Sequence, residues 1–295
     1  MKTYKKLLLY VVVALVAAAI LSPWVFAAWN SFAASRRHRA DFEQIFGGVF
    51  IAAGAALVLA SPSLLRWRLL SEAGLASKDR RNIFYGFILA VASMAVLGFV
   101  MYLAGSLTPG LSDPIYSIVR ASGKALLTAL VVGFLEELFF RGILFRGLLK
   151  DYGPAIAFAG ANLFYSVSHF FKPPEDFALS GIDPSAGFRF IALCLAPFLD
   201  PPMILPGVIG LFVIGVVLSY ALVRTDSLYL SIGLHAGWVF GIKTLSLYGY
   251  FTREDLGWAF GAKPKLVSGV VTWIGILLVG AVVHLMTRRR NSRSS

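Results

Sequence analysis

The sequence predicts an all-α, polytopic membrane protein with about eight transmembrane helices around an intramembrane polar cavity. Of its 295 residues, 58% are hydrophobic and only 14% are charged, and the mean hydropathy is +0.77. Soluble domains average about 45–50% apolar and about 25% charged residues, so this composition excludes an ordinary soluble domain. Long apolar runs, separated by polar or Gly/Pro-containing segments, recur along the chain. Most are long enough to cross a bilayer as a helix.

The basic residues indicate membrane contact rather than a nucleic-acid partner. The net charge is +12, and the lysines and arginines cluster at the N-terminus, at residues 66–81 and at the C-terminus. Loops and tails that meet anionic headgroups carry such clusters. Cys194 is the single cysteine, which excludes an intrachain disulfide and a cysteine metal cluster. It is predicted to be a small buried hydrophobe.

The first half of the chain is predicted to hold four spans. Residues 5–30 begin with lysines and continue with an apolar run longer than the 7–15 residues of a signal-peptide core. A retained first span is therefore predicted, with a cleaved signal peptide as the rival interpretation. The second span is predicted at 42–65 and the third at 82–105, followed by a turn at 108–114. The fourth is a long helix from Ile115 or Ser117 to Lys150.

The second half is predicted to hold the other four. Residues 151–154, with Gly followed by Pro, end the fourth helix and reverse the chain. The fifth span is predicted at 155–171, before a polar loop at 172–189. Residues 190–199 are apolar but short, typical of a half-helix or an interfacial piece, and prolines at 201–206 interrupt the chain again. The remaining spans are predicted at 207–223, 227–248 and 267–286. The sequence shows no internal repeat and no second domain, and residues 1–295 are predicted to form a single integral membrane domain.

The candidate site begins with two adjacent glutamates and an arginine in the fourth span, Glu136, Glu137 and Arg141. A charged side chain at the centre of a spanning helix costs roughly 2.5–3.5 kcal/mol, so such residues usually face a protein interior and mark a function. Glu137 and Arg141 are four residues apart, the spacing of a helical ion pair. If Glu137 pairs with Arg141, Glu136 is the acid that is left to act in a reaction. The alternative is that all three form a structural ion network.

Two of the four histidines extend this candidate site. His38 and His284 lie near basic loops or tails and are interpreted as solvent or headgroup residues. His169 and His235 lie in apolar spans, where a histidine is either a helix–helix contact or a functional group. Counted from the turn at Tyr152, Glu136 and His169 both lie about 24–26 Å along antiparallel helices, so they can share a depth.

Helical spacing supports an inward-facing polar stripe on the fifth span. Asn162, Tyr165 (or Ser166) and His169 recur at this spacing, and Asn162 and Tyr165 are possible auxiliary site residues. His235 follows Arg224 by 11 residues, which again places it within the membrane. The three groups Glu136, His169 and His235 are therefore predicted to converge.

These motifs resemble the CPBP intramembrane proteases, which include CAAX prenyl-protein endopeptidases and bacteriocin-processing and immunity relatives. The shared features are the Glu-Glu-x-x-x-Arg motif at 136–141 and histidines in the next and in a later span. The resemblance covers roughly residues 117–248. It implies an endopeptidase in which Glu136 activates a water molecule, His169 holds that water or shares its proton, and His235 stabilises the oxyanion. Glu137 and Arg141 would support the site structurally.

The chain departs from the family pattern at two positions. The family's second motif is FxxxH, and here Tyr165 takes the place of Phe four residues before His169. Its third motif is a histidine often followed four residues later by Asn, and here Val239 stands four residues after His235. Without that amide, the oxyanion site that the resemblance implies lacks one hydrogen-bond donor. The indole N–H of Trp238 is a donor and makes this residue a further auxiliary candidate.

No cofactor is expected, but a metal site remains an alternative for the same residues. Glu136, His169 and His235 would suit zinc with an open coordination position. The chain has no HExxH motif, and the metal-free glutamate mechanism is the preferred interpretation.

Two other functions remain open at this point. Glu136, Glu137 and the histidines would also serve a proton- or ion-coupled transporter, although the chain shows no inverted repeat. A non-catalytic membrane scaffold or immunity protein of the same fold is the third possibility. For the peptidase, the expected partners are the lipid bilayer and a membrane-protein or lipidated peptide substrate. The expected location is the bacterial inner membrane with both termini cytoplasmic.

Overall fold

Nearly all of the described chain is helical. The structure is a computed structural model that describes residues 2–32, 40–60, 74–75, 79–172, 177, 179, 182–261 and 266–291. The helices within these ranges are α1 (Thr3–Phe32), α2 (Phe42–Leu59), α3 (Asn82–Leu103), α4 (Ile115–Glu137), a π-helix (Leu138–Phe145), α5 (Arg146–Ser168), α6 (Ala186–Cys194), α7 (Pro201–Thr225), α8 (Leu228–Leu245), α9 (Gly257–Phe260) and α10 (Val270–Asn291). Two short strands, β1 (Leu107–Pro109) and β2 (Gly249–Phe251), pair antiparallel with Thr108 opposite Tyr250.

The prediction of an all-α polytopic membrane protein is confirmed. Six helices of the described chain are long and apolar enough to cross a membrane: Tyr4–Phe32, Phe42–Leu59, Asn82–Leu103, Ile115–Ser168, Pro201–Thr225 and Val270–Arg288. The Ile115–Ser168 helix contains the bend between the predicted fourth and fifth spans, and α8 is not among the six. The count of about eight spans is therefore not confirmed.

The turn between the fourth and fifth spans is where the sequence predicts it. Gly153 has φ +80° and ψ 178°, a backbone conformation that glycine adopts without steric cost. The chain then returns alongside itself, because Phe145 contacts Phe158 and Phe140 contacts Tyr165, both with ring centroids 5.0 Å apart. A hairpin of two long helices results.

The predicted interruption at 201–206 is wrong. Helix α7 begins at Pro201 rather than at residue 207. Pro201 and Pro202 occupy its first turn, where backbone N–H groups have no acceptor within the helix and proline costs little. The half-helix predicted at 190–199 is present in two pieces, α6 and a 3₁₀ turn at Ala196–Leu199.

Two compact units make up the chain. The first comprises Met1–Leu69 and Ser168–Ile204, and the second comprises Leu70–Val167 and Leu205–Ser295. The division does not test the prediction of one integral membrane domain. The predicted basic loop at 66–81 and the first loop with His38 lie largely outside the described residues.

The first unit packs α1, α2 and α6 around aromatic side chains. The rings of Phe42, Phe46 and Phe190 contact one another with centroids 4.8–6.3 Å apart. Cys194 belongs to this cluster and is only 1% exposed, so its prediction as a buried hydrophobe is confirmed.

The second unit packs around α8, of whose 18 residues 12 are buried. Glycines allow its close approach to α3: a Cβ at Gly237 would lie 2.6 Å from the Cβ of Ala90 and 2.7 Å from the carbonyl oxygen of Phe87. Gly233 and Gly241 face α3 in the same way. Such small residues let transmembrane helices pack closely. On its α4 side, α8 places Ala236 against Gly133.

Candidate active site

The two glutamates lie at a change of helix type. Glu136 and Glu137 are the last residues of α4, and the π-helix follows at once from Leu138 to Phe145. A π-helix has more residues per turn than an α-helix, so it changes the direction of the side chains that follow it. Such segments are rare and occur frequently at functional sites. Here the change affects Arg141, which lies within the π-helix.

Glu137 and Arg141 form the ion pair that their spacing predicts. Nη1 of Arg141 donates to Oε1 of Glu137 at 2.9 Å, and the two side chains are 1% and 0% exposed. Arg141 also lies over the ring of Tyr165, with Cζ 4.2 Å from the ring centroid. The guanidinium is therefore held by a carboxylate and by an aromatic face.

His235 joins the two glutamates. Its Nδ1 is 2.7 Å from Oε1 of Glu137, and its Nε2 is 3.7 Å from Oε2 of Glu136. The imidazole comes from α8, which runs antiparallel to α4 and is buried on most sides. Residues 98 positions apart in the sequence are thus brought into hydrogen-bonding contact.

The two glutamates differ in the exposed fraction of their side chains. The side chain of Glu136 is 28% exposed and that of Glu137 is 0% exposed. Part of the Glu136 side chain is therefore accessible, although its Oε2, the atom nearest His235, is buried, whereas the whole Glu137 side chain is buried. This difference agrees with the prediction that Glu136 is the residue left for chemistry, although it does not test the chemistry itself.

Tyr165 forms one wall of this cluster. Its side chain is buried, and its ring contacts the His235 ring edge-to-face, with centroids 6.1 Å apart. The ring also contacts Phe140 edge-to-face at 5.0 Å. Tyr165 therefore contacts the arginine, the histidine and the π-helix, and its auxiliary role stays a prediction.

Asn162 is engaged elsewhere. Its Oδ1 accepts a hydrogen bond from Oγ of Ser219 at 2.9 Å, and its Nδ2 donates to the carbonyl oxygen of Phe158 at 2.9 Å. The bond with Ser219 joins α5 to α7, and the bond to Phe158 lies within α5. Asn162 is thus a helix–helix contact whose buried amide is satisfied on both sides, and its auxiliary role at the site stays a prediction.

Trp238, the auxiliary candidate on α8, is hydrogen-bonded to another helix, and its role at the site stays a prediction. Its indole N–H donates to Oγ of Ser93 on α3 at 3.1 Å, away from the carboxylates. Trp238 also lines an apolar cavity together with Met94, Leu97 and Ile242. One turn of helix separates it from His235, but the α8 face that it occupies packs against α3.

His169 lies in the turn just after α5, where it is half-buried. It belongs to the first unit, whereas Glu136 and His235 belong to the second. Its convergence with them stays a prediction. His284, on α10, hydrogen-bonds to the hydroxyl of Tyr220 on α7 rather than standing alone among headgroups.

The alternative of a zinc site at Glu136, His169 and His235 stays a prediction. Within the described ranges, no group of three or more His, Cys, Asp or Glu side chains is arranged to hold a metal ion. Nδ1 of His235 is occupied by Glu137 at 2.7 Å.

Sequence reasoning missed the residues that place His235. Gly233, Gly237 and Gly241 recur every four residues and allow α8 to approach α3. This repeat is readable as a small-xxx-small pattern, so a signal existed. Ser93, which fixes Trp238, had no comparable signal.

The comparisons with known proteins agree with the motif. Residues 120–241 match the family model described as type II CAAX prenyl endopeptidase Rce1-like. The matched segment contains the glutamates, Arg141, His169 and His235, and nearly coincides with the stretch 117–248 whose resemblance the sequence predicts. Neither the curated proteins nor the solved structures compared with the chain gave a match.

Proposed function

We propose that this protein is an intramembrane endopeptidase that hydrolyses a peptide bond of a membrane-associated substrate. The observation that carries the proposal is the partly exposed Glu136 side chain, whose Oε2 lies 3.7 Å from Nε2 of His235. Both lie on apolar helices within a segment that matches a family of CAAX prenyl endopeptidases. The match supports a peptidase in general, and the geometry supports a hydrolytic use of the carboxylate.

In the proposed mechanism, Glu136 takes a proton from a water molecule whose oxygen attacks the carbonyl carbon of the scissile bond. A positioned general base of this kind contributes typically 10²- to 10⁴-fold in rate. His169 holds the same water or shares its proton. His235 stabilises the oxyanion that forms, and one such donor is worth roughly 2.7–4 kcal/mol of barrier.

Glu137 and Arg141 support the site in this proposal. Glu137 is fully buried and bonded to both Arg141 and His235, so it can anchor these side chains but cannot reach a substrate. Val239 supplies no hydrogen-bond donor, and the proposal therefore assigns the oxyanion to His235 without an amide partner.

We propose that the reaction needs no metal cofactor. A zinc ion held by Glu136, His169 and His235 is the competing proposal, in which the metal would activate the water. Chelation distinguishes the two, because a zinc peptidase loses activity with 1,10-phenanthroline and recovers it with added zinc.

The proposed substrate is a membrane protein or a lipidated peptide cut near a hydrophobic or prenylated C-terminus. His235 follows the first residue of α8 by seven positions, so it lies about 10 Å along the helix from that end. Arg146, Asp226 and Arg224 lie at the same end of the helices, with Arg146 bonded to Asp226. Basic residues favour the cytoplasmic side, which supports a cytoplasm-facing site in the bacterial inner membrane with both termini inside.

Proteomics of membrane fractions tests this function. Strains that express the wild type, no protein, or the Glu136→Gln variant are compared for membrane proteins that lose a terminal trimming event. Trimming by the wild type and not by Glu136→Gln is expected. Glu254→Gln, which changes an exposed glutamate in a short 3₁₀ helix, is the control that keeps it. Full trimming by Glu136→Gln would overturn the proposal.

The same variants separate the other functions. Substrate-dependent proton flux in liposomes without peptide release would favour a transporter. Rescue of the deletion phenotype by Glu136→Gln would favour a non-catalytic scaffold or immunity protein.

A further inference from the structure

His235 meets two carboxylates through its two different ring nitrogens. Nδ1 lies 2.7 Å from Oε1 of Glu137, within hydrogen-bonding distance. Nε2 lies 3.7 Å from Oε2 of Glu136, the more exposed of the two acids. The imidazole thus lies between a fully buried glutamate side chain and a partly exposed one.

The partner of Nδ1 decides which nitrogen carries the proton. Oε1 of Glu137 also accepts the hydrogen bond from Nη1 of Arg141 at 2.9 Å. A carboxylate oxygen that already accepts a hydrogen bond from a guanidinium offers only a further lone pair to its second neighbour. The hydrogen between Glu137 and His235 must therefore belong to Nδ1, which leaves a lone pair on Nε2 when the ring is neutral.

We infer that Glu137 is a positioning residue: it holds His235 as the Nδ1–H tautomer and directs the Nε2 lone pair towards Glu136. The inference rests on the peptidase function proposed above and goes beyond a purely structural role for Glu137. Fixing a histidine tautomer through its second nitrogen is how a buried carboxylate prepares an imidazole for proton transfer.

This tautomer gives His235 a defined part in the hydrolysis. The water oxygen bonds to the carbonyl carbon, while the proton that it loses passes by way of Glu136 to Nε2 of His235. Nε2 then carries a hydrogen in the same step in which the oxyanion forms, and can donate to it. When the C–N bond breaks, that proton goes to the amine nitrogen, and Glu136 and His235 return to their starting states.

The tautomer is measured directly by ¹⁵N NMR of the intact protein in detergent micelles, with ring-labelled histidine and at a pH high enough for neutral rings. The His235 signals are assigned by their loss in His235→Asn. The expected spectrum shows a protonated Nδ1 and an unprotonated Nε2. A protonated Nε2 with a bare Nδ1 in the wild type would overturn the inference, and this measurement needs no variant to fold beyond the one used for assignment.

Two variants separate positioning from structure. Glu137→Gln replaces the carboxylate by an amide that can donate as well as accept, and we expect a mixture of both His235 tautomers. In Glu136→Gln the wild-type tautomer is expected to remain, because the contact with Glu137 is intact. An unchanged tautomer in folded Glu137→Gln would contradict the inference.

Kinetics give the second readout. Glu137→Gln is expected to lower kcat by about 100-fold or more, with KM changed less than about threefold, because the group acts on proton transfer and not on substrate binding. Glu254→Gln is the matched control and keeps both constants. The inference and the proposed function fail separately: cleavage by Glu136→Gln refutes the peptidase mechanism, whereas the tautomer of wild-type His235 is independent of any activity.

Discussion

Replacement of Arg141 by Met tests whether the buried ion pair holds the site together. The substitution leaves the Glu137 carboxylate, 0% exposed, without its cationic partner. Breaking one side of a buried pair costs about 3–5 kcal/mol, since the remaining charge stays desolvated. This corresponds to a roughly 150- to 4,000-fold change in the unfolding equilibrium.

A second arginine five residues further on provides the matched control. Arg146 bonds to Asp226 at 2.7 Å, but these side chains are 26% and 89% exposed. An exposed pair of this kind is worth only about 0–1 kcal/mol, so Arg146→Met should cost far less than Arg141→Met. The double variant Glu137→Gln/Arg141→Met removes both charges and should recover most of the loss.

The assay is reversible unfolding with SDS in mixed micelles, followed by tryptophan fluorescence of full-length protein. The free energies of unfolding of the wild type, the two arginine variants and the double variant form the comparison. Equal destabilisation by Arg141→Met and Arg146→Met would refute the reasoning. A double variant as unstable as Arg141→Met would refute it too, because the cost would then come from lost packing rather than from an unpaired charge.

Three further outcomes are expected. Gly237→Leu should destabilise the fold by about 1–3 kcal/mol or more in the same SDS assay, because even a Cβ at this position meets Ala90 at 2.6 Å. Gly275→Leu, with nothing within 4 Å of a Cβ, should leave stability within about 0.5 kcal/mol and serves as its control. Tyr165→Phe should retain cleavage within about threefold, because the ring keeps its cation–π contact with Arg141. Tyr165→Leu loses this contact, which is worth about 0.5–2 kcal/mol, and should slow cleavage markedly. Similar cleavage rates for the two Tyr165 variants would exclude a role for the ring. Incubation with 1,10-phenanthroline should leave peptide release unchanged in a metal-free enzyme, and a loss restored by zinc would contradict that proposal.

The order of helices followed closely from local sequence signals. Gly153 and Pro154 predicted the turn of the hairpin because glycine and proline both break a helix, and the apolar runs on either side predicted its two helices. The same reasoning failed at Pro201, since a proline that breaks a helix interior is also accepted in a first turn. Local chemistry alone does not distinguish these two uses.

The pairing within the site was predictable only where it was local. Glu137 and Arg141 lie one helical turn apart, so their spacing predicted the contact that the structure contains. Asn162 and Trp238 are polar groups on apolar helices, and the sequence alone gave each a place near the site. Their hydrogen bonds to Ser219 and Ser93 come from other helices, and such partners have no signature in spacing.

The sequence by itself determined the membrane class, the buried acid–base motif and its family resemblance, because hydropathy and helical spacing are properties of adjacent residues. Only the tertiary structure decided that Glu137 rather than Glu136 bonds to His235, and that Glu136 is the exposed acid. The reason is geometric. The direction of each side chain depends on the π-helix after Glu137 and on the depth to which glycines let α8 approach its neighbours.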